Sequence, residues 1–388
     1  MKPILVVFLT VVLDLLGFGI VIPLLTFYAE SFHATPLQVT LLMACYSLAQ
    51  FVFAPIWGQL SDRVGRRPVL LVSIGLTAVM LAGFAGSTAL WMLFVFRTLH
   101  GAMTANISTA QACMADLTTP ENRAKGMGLI GAAFGIGFTL GPWLGGELGK
   151  TSLSLPLWVA AGLSAINFLL ALAWLPETRH AGSVPTQRSI APAALWAALT
   201  APVVGLCILL TFFQVFSFAL MESTFTLFAE HRHGMRPEDI GRLFGLVGVI
   251  SIVIQGGLIG RLVKRFGERP LVPAGLALLA VGVALLPLAP RGLPLLAVFG
   301  VMSIGQSIAT PSLQALISRS AASTDQGSVL GSAQSIGALA RAGGPALGGV
   351  LYSGISPAAP FFAGAALLVG AVALAFPATA RAASTLQK

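Results

Sequence analysis

The sequence predicts an all-α integral membrane protein: twelve transmembrane helices in two pseudo-symmetric six-helix bundles. Three observations carry this expectation. Charged residues make up 9% of the 388-residue chain and hydrophobic ones 56%, with a mean hydropathy of +0.90, whereas a water-soluble domain carries about 25% charged residues. Such a chain cannot cover a surface facing water, so lipid is its solvent. Apolar stretches of roughly 18–25 residues recur along it, each long enough to cross a bilayer as a helix. The chain also repeats itself. Gly58-Gln-Leu-Ser-Asp-Arg-Val-Gly-Arg-Arg-Pro68 returns 202 residues later as Gly260-Arg-Leu-Val-Lys-Arg-Phe-Gly-Glu-Arg-Pro270, and Gly141-Pro-Trp-Leu-Gly-Gly146 returns 203 residues later as Gly344-Pro-Ala-Leu-Gly-Gly349. Two unrelated motifs with nearly one offset imply a duplicated unit, and duplicated membrane halves are how secondary transporters build an alternating-access site at the midplane.

The first apolar run extends from about Ile4 to Tyr28. It is too long for the core of a signal peptide and reads as a retained span. The spans of the first half centre near Leu16, Ala49, Ala78, Ala102, Ile136 and Ala165, those of the second near Val215, Ile250, Leu279, Ile304, Leu339 and Leu368. Residues 1–176 form the first bundle, 177–198 a polar linker and 199–388 the second bundle. The 43 glycines and 23 prolines do not indicate disorder: small residues let membrane helices approach closely, and proline is tolerated where neighbours satisfy the freed backbone. Cys45, Cys113 and Cys207 all lie in apolar runs and read as small buried hydrophobes.

The net charge of +9 does not indicate nucleic acid, because the basic residues fall in short loops between spans. With both termini and the linker on one side, that side holds fifteen lysines and arginines and the other five. The richer side is therefore cytoplasmic. Arg97 and Arg341 remain inside spans.

The candidate functional residues are the charges that lipid does not tolerate. Asp14 lies about ten residues into the first span, roughly 15 Å deep at 1.5 Å per residue; Glu222 lies in the seventh, nearer its outer end. A charge at the bilayer centre costs about 2.5–3.5 kcal/mol even on a lenient scale, so both are expected to face a bundle interior. A carboxyl withdrawn from water protonates more readily, which suits a proton carrier. The plainer readings are a permanent helix partner for Asp14 and a snorkelling group for Glu222. Thr211, Gln214, Phe218 and Glu222 follow at three- and four-residue steps and form one polar-aromatic stripe. Arg97 stays charged at any relevant pH and cannot carry the proton, but it can hold a carboxylate ionised. His100 beside it reads more simply as a packing histidine, and Arg341, whose equivalent in the first half is Phe138, has no assigned role. Phe18, Asn106, Gln214, Phe218, Glu222 and Gln306 are the expected lining of a substrate cavity. Phe212, Phe213 and Phe225 offer further aromatic surface, or are packing filler.

At the loop, Arg66 is expected to meet Asp116, and the duplicate positions carry Glu268 and Arg319 with the signs exchanged. In the fifth span, glycines at four-residue steps (Gly137, Gly141, Gly145) make a flat face, and Gly141-Pro142 permits a bend.

On these residues the chain resembles the major facilitator superfamily, and within it the twelve-helix drug:proton antiporters that include tetracycline and multidrug exporters. Gly58–Pro68 is similar to the signature loop between the second and third helices, Arg97-x-x-x-Gly101 to the fourth-helix motif, and Gly137-x-x-x-Gly141-Pro142-x-x-Gly145-Gly146 to the fifth-helix antiporter motif. Leu13-Asp14-x-x-Gly17-x-Gly19-x-x-Ile22-Pro23 resembles the first helix of tetracycline-type exporters. The resemblance implies a cytoplasmic gate of Gly58, Asp62, Arg63, Gly65, Arg66, Arg67, Asp116 and Arg123, with Asp62 also facing the positive end of the eleventh helix, and proton coupling through Asp14, Glu222 and Arg97. The chain departs from tetracycline exporters in having no histidine in the eighth span and no acid in the ninth, and from some multidrug exporters in having Gln306 rather than an acid in the tenth.

The resulting expectation is a monomeric, multi-pass transporter of a bacterial inner membrane with cytoplasmic termini, exporting an amphipathic substrate, for which a cationic group is well suited, against protons. Its partners are the substrate, protons and lipid, and the proton gradient replaces any cofactor or metal. A proton symporter for a nutrient or organic acid and a lipid or lipid-precursor facilitator are the alternatives. An enzyme is excluded by the lack of a phosphate-binding loop, metal-ligand spacing or a nucleophile–base pair.

Overall fold

The computed structural model describes residues 3–104, 106–119, 122–178, 196, 198–320 and 326–385, and among these every regular element is helical. The chain divides into two compact units, one of residues 1–35, 45–187 and 235–248, the other of residues 36–44, 188–234 and 249–388. In chain order the first half holds α1 (Pro3–Val21), α2 (Leu25–Glu30), α3 (Pro36–Val64), α4 (Arg66–Ala85), α5 (Leu90–Met103), α6 (Asn106–Asp116), α7 (Arg123–Gly149) and α8 (Leu155–Trp174). The second half holds α9 (Val204–His233), α10 (Pro237–Val253), a π-helical turn (Ile254–Leu258), α11 (Ile259–Phe266), α12 (Glu268–Leu285), α13 (Leu293–Ser320), α14 (Gln326–Gly354) and α15 (Ala359–Thr385).

Among the described residues ten helices are long and apolar enough to cross a membrane, counting α10 through α11 as one. The other two predicted spans differ from simple apolar rods. The eleventh is α14, 29 residues long, whose glycines, serines and glutamines lower its hydropathy. The fourth is two helices, α5 and α6, with Thr104 in an extended conformation at the end of α5, close to the centre at Ala102 where one continuous helix is expected. A break inside a membrane leaves carbonyls without helical partners, and these must find others. Trp57 Nε1 donates to the carbonyl of Ala102 at 2.7 Å, Ser73 Oγ to that of Met103 at 2.6 Å, and Thr104 Oγ1 to that of His100 at 2.7 Å.

The duplication extends to helix distortion. Pro55 sits inside α3, and the residue 202 positions on is Gly257, in the π-helical turn. Proline removes a backbone donor in one copy and a π turn shifts the hydrogen-bond register in the other. Both disturb the helical hydrogen-bond ladder at equivalent positions of the duplicated span.

Large apolar side chains face outward, Trp91 at 66% exposure and Val369 at 62%, while Thr10, Thr77, Asn167 and Gln214 are buried. This is the pattern of a bundle solvated by lipid. Helices inside each unit approach through bare backbone. A Cβ on Gly19 of α1 would stand 3.1 Å from Gly141 Cα of α7, and one on Gly305 of α13 would stand 2.7 Å from the Gly275 carbonyl of α12. In the second unit, Gly344 and Gly348 of α14 lie against Phe216, Leu220 and Thr224 of α9.

Substitution of Gly305 by alanine therefore forces α12 and α13 apart and should cost about 1–3 kcal/mol. Alanine at Gly370, where a Cβ meets nothing within 4 Å, should gain up to about 1 kcal/mol from helix propensity. Thermal unfolding of the two variants in detergent is expected to move in opposite directions.

Candidate functional site

The signature loop is one residue long. Gly65, at φ +108°, separates α3 from α4, a backbone region that favours glycine. This sharp turn brings the end of α3 beside the start of α4, and Arg66 is held there by three side chains. Its Nη1 donates to Ser61 Oγ at 2.7 Å and pairs with Asp62 Oδ1, and its Nε reaches Asp116 Oδ2 at 3.3 Å. Arg66 and Asp62 keep only 12% and 11% of their side-chain surface exposed. The expected Arg66–Asp116 pair is present, with Asp62 completing it. Arg67 turns away and donates to the Leu172 carbonyl at 2.8 Å. Arg63 is exposed, and Gly58 has open space about it. Arg123 opens α7; its side chain, like that of Asn106 at the start of α6, lies outside the described residues.

The exchanged pair of the second half is also formed. Arg319 donates through both terminal nitrogens to Glu268, at 3.1 and 2.9 Å, a bidentate fork. Arg319 is 60% exposed and Glu268 11%, so water screens the pair from the arginine side only.

Sequence reasoning missed Glu177. Its carboxylate accepts the backbone N–H of Arg66 at 2.9 Å and of Arg67 at 3.2 Å, and the neighbouring Thr178 donates to Asp116 Oδ2 at 3.3 Å. The signal was available: a helix opening with two arginines has cations at its positive end and needs an acid from elsewhere.

Within the membrane-spanning part of the first unit, Asp14 and Arg97 are both buried, at 9% and 4% exposure. The structure sets two aromatic rings against Arg97. Its guanidinium lies 4.3 Å from the Tyr46 ring centroid and 5.9 Å from that of Phe18. His100 packs on Tyr46 at 5.2 Å, and Phe18 touches both Tyr46 and Phe138. Arg97 Nε has no hydrogen-bond partner. The Arg-x-x-x-Gly spacing now has a physical reason. A Cβ on Gly101 would stand 2.9 Å from the backbone carbon of Tyr46, so glycine lets α3 close onto α5 and lays the Tyr46 ring over the guanidinium four residues away. Asp14 lies one turn from Phe18 on α1. Tyr46 was not expected; as one of only 3 tyrosines, it offered only a compositional hint.

In the second unit, Gln214 is 2% exposed and its amide donates to Gln306 Oε1 at 3.0 Å and Thr310 Oγ1 at 2.7 Å. Two expected cavity residues from spans seven and ten are thus brought together. Phe218 and Glu222 continue the same face of α9, both partly buried. Glu222 interacts electrostatically with Arg341, which gives the unassigned arginine of α14 an acidic neighbour. Phe225 is fully buried against Phe299, ring to ring at 4.6 Å, and takes the packing role.

The antiporter-motif glycines divide their work by face. Gly137, Gly141 and Gly145 meet Leu15, Gly19 and Ile20 of α1, pressing α7 onto the helix that carries Asp14. Gly146 instead faces Pro237 and Gly241, where Arg242 Nε donates to Glu147 Oε1 at 2.9 Å.

The family model of the Major Facilitator Superfamily matches residues 7–289 and 256–387. The chain belongs to the major facilitator superfamily. It is 33% identical over 368 residues to the tetracycline resistance protein, class C, of Escherichia coli, covering 93% of this chain and 92% of the relative. It is 28% identical over 362 residues to multidrug resistance protein 2 of Bacillus subtilis, covering 92% and 90%. Among solved structures it is similar to the human organic anion transporter MFSD10 (TETRAN), with a TM-score of 0.73, 27% identity and coverage of 96% and 99%. These relatives place it in the tetracycline and multidrug efflux branch of the superfamily. It is a multi-pass membrane protein and a secondary transporter, not an enzyme.

Two charge exchanges should behave differently in this superfamily member. Glu268→Arg with Arg319→Glu keeps the opposite charges together but puts a cation at the start of α12, so it should recover only part of the stability that either single change loses. Arg66→Asp with Asp116→Arg places an acid between Asp62 and Glu177 and should lose about 3 kcal/mol, no better than either single change. Thermal unfolding of the four singles and two doubles measures both. For the aromatic box, Tyr46→Leu should cost about 1–2 kcal/mol of cation–π stabilisation that Tyr46→Phe retains in large part.

Proposed function

We propose that this transporter exports amphipathic compounds in exchange for protons across the bacterial inner membrane, with both termini in the cytoplasm. The observation that carries the proposal is a carboxylate within a membrane span of each unit, Asp14 in α1 and Glu222 in α9, each set beside aromatic and polar side chains. Either acid, once deprotonated, offers negative charge to a cationic or polarised group, and Phe18 and Phe218 offer faces to its apolar body. Protonation from outside then competes with the substrate, and proton loss inside resets the site. The substrate needs no more than a difference in affinity between two states for this cycle to turn. The proton gradient supplies the energy, and no cofactor enters. Tetracycline and multidrug resistance relatives support export, and the glycine packing of α7 on α1 is consistent with the antiporter motif it matches.

One observation favours a second reading, the export of organic anions. A buried guanidinium with an unpartnered Nε, lying over Tyr46 and beside Phe18, is suited to a planar delocalised anion, and the organic anion transporter MFSD10 is a structural relative.

The test is efflux of ethidium and of carboxyfluorescein from energised cells, with and without an uncoupler, for the parent, Asp14→Asn and Glu222→Gln. Ethidium efflux that the uncoupler abolishes, and that falls at least tenfold in either mutant, is the expected result. Efflux of carboxyfluorescein alone, lost in Arg97→Gln, would replace the first reading with the second.

A further inference from the structure

α4 starts badly for a helix. The first N–H groups of a helix have no partners within it, and its N-terminus carries partial positive charge. α4 places Arg66 and Arg67 there. The duplicate helix does not have this difficulty, because α12 opens with Glu268. Nothing in the α4 sequence supplies an acid, and the structure brings one from just beyond the end of α8. The Glu177 carboxylate spans the Arg66 and Arg67 amides, at 2.9 and 3.2 Å. Gly65 leaves room for it: a Cβ at that position would stand 2.9 Å from the Glu177 carboxyl carbon, whereas one on Gly267, the duplicate residue, meets nothing within 4 Å. Thr178 ties the same stretch to Asp116, through the oxygen that also accepts from Arg66 Nε.

We propose that Glu177 is a positioning residue for transport: by capping α4 it holds Arg66 in register with Asp62 and Asp116, and it fastens the chain leaving α8 to that network. The inference rests on the reading of this network as a gate. Among the described residues the cap is a feature of the first unit alone, and it links the stretch that begins the connection between halves to the loop that carries the signature motif. Any movement that withdraws Glu177 uncaps α4 and loosens Arg66. Any movement that parts Arg66 from its carboxylates strains the cap.

Two readouts test this on the full-length protein. Amide hydrogen exchange in detergent should rise about tenfold at Arg66 and Arg67 in Glu177→Ala and less in Glu177→Gln, with α12 unchanged. In proteoliposomes driven by a pH gradient, the maximal rate of ethidium transport per folded transporter should fall about tenfold in Glu177→Ala with KM unchanged. Adding Arg67→Glu, which gives α4 an acid of its own as α12 has, should recover part of both losses. Unchanged exchange at Arg66 and Arg67 overturns the proposal whether or not ethidium is carried. Raised exchange with an unchanged maximal rate also overturns it, reducing Glu177 to a stability cap. A parent protein that does not carry ethidium counts against the export reading alone; the rate comparison is then made with carboxyfluorescein, and the same two outcomes overturn the positioning role.

Discussion

Backbone-to-backbone contact is the constraint from which the rest of this structure follows. In lipid no hydrophobic force draws helices together, because the tails are as apolar as the side chains, and association depends on close packing and polar contacts. Gly19 against Gly141, Gly275 against Gly305 and Gly101 against Tyr46 are three of the places where backbones approach in this way. Each brings a functional element within reach of another. The first presses α7 onto the helix bearing Asp14, the second fixes α13, which carries Gln306 and Thr310, and the third sets a ring over Arg97. The glycines are thus not merely permissive. They set the distances at which the buried polar groups operate.

On that scaffold each charge is treated according to its depth. At the ends of the helices, where water is available, arginines meet carboxylates directly: Arg66 with Asp62 and Asp116, Arg319 with Glu268. Inside the span, Arg97 is instead covered by π faces, which stabilise a cation without neutralising it. A full ion pair in that position would cancel the field of the arginine. The two rings leave that field in place.

The architecture was legible in the sequence because lipid enforces length and apolarity, and because the repeat offset survives in the glycines and prolines that shape helices. Both ion pairs were legible through the same offset: complementarity persisted although the signs exchanged. Three features were not. The break between α5 and α6 has no glycine or proline at its centre; it is stabilised by Trp57 and Ser73 donating from other helices, and such tertiary donors leave no local trace. Tyr46 acts through a ring that happens to face an arginine 51 residues on, which periodicity does not reveal. Glu177 lies where composition marks a linker, and a linker acid reads as solvated unless one first asks what the start of α4 lacks.

That question also accounts for the exchanged signs. In the second unit the acid of the pair is the first residue of its helix, so one carboxylate serves both the Arg319 side chain and the helix dipole. In the first unit the pair is reversed, and the basic partner occupies the position that the dipole disfavours. Reversal alone would leave the start of α4 both uncapped and repelled. Arg66 is gained as a centre that binds Ser61, Asp62 and Asp116 together, a role a carboxylate could not fill because it donates no hydrogen bonds. The cost to the helix is met by Glu177. The two halves therefore diverged by a coupled change rather than an independent one: a three-partner arginine at the head of α4 requires an external cap, and the residue that provides it lies where the first bundle ends.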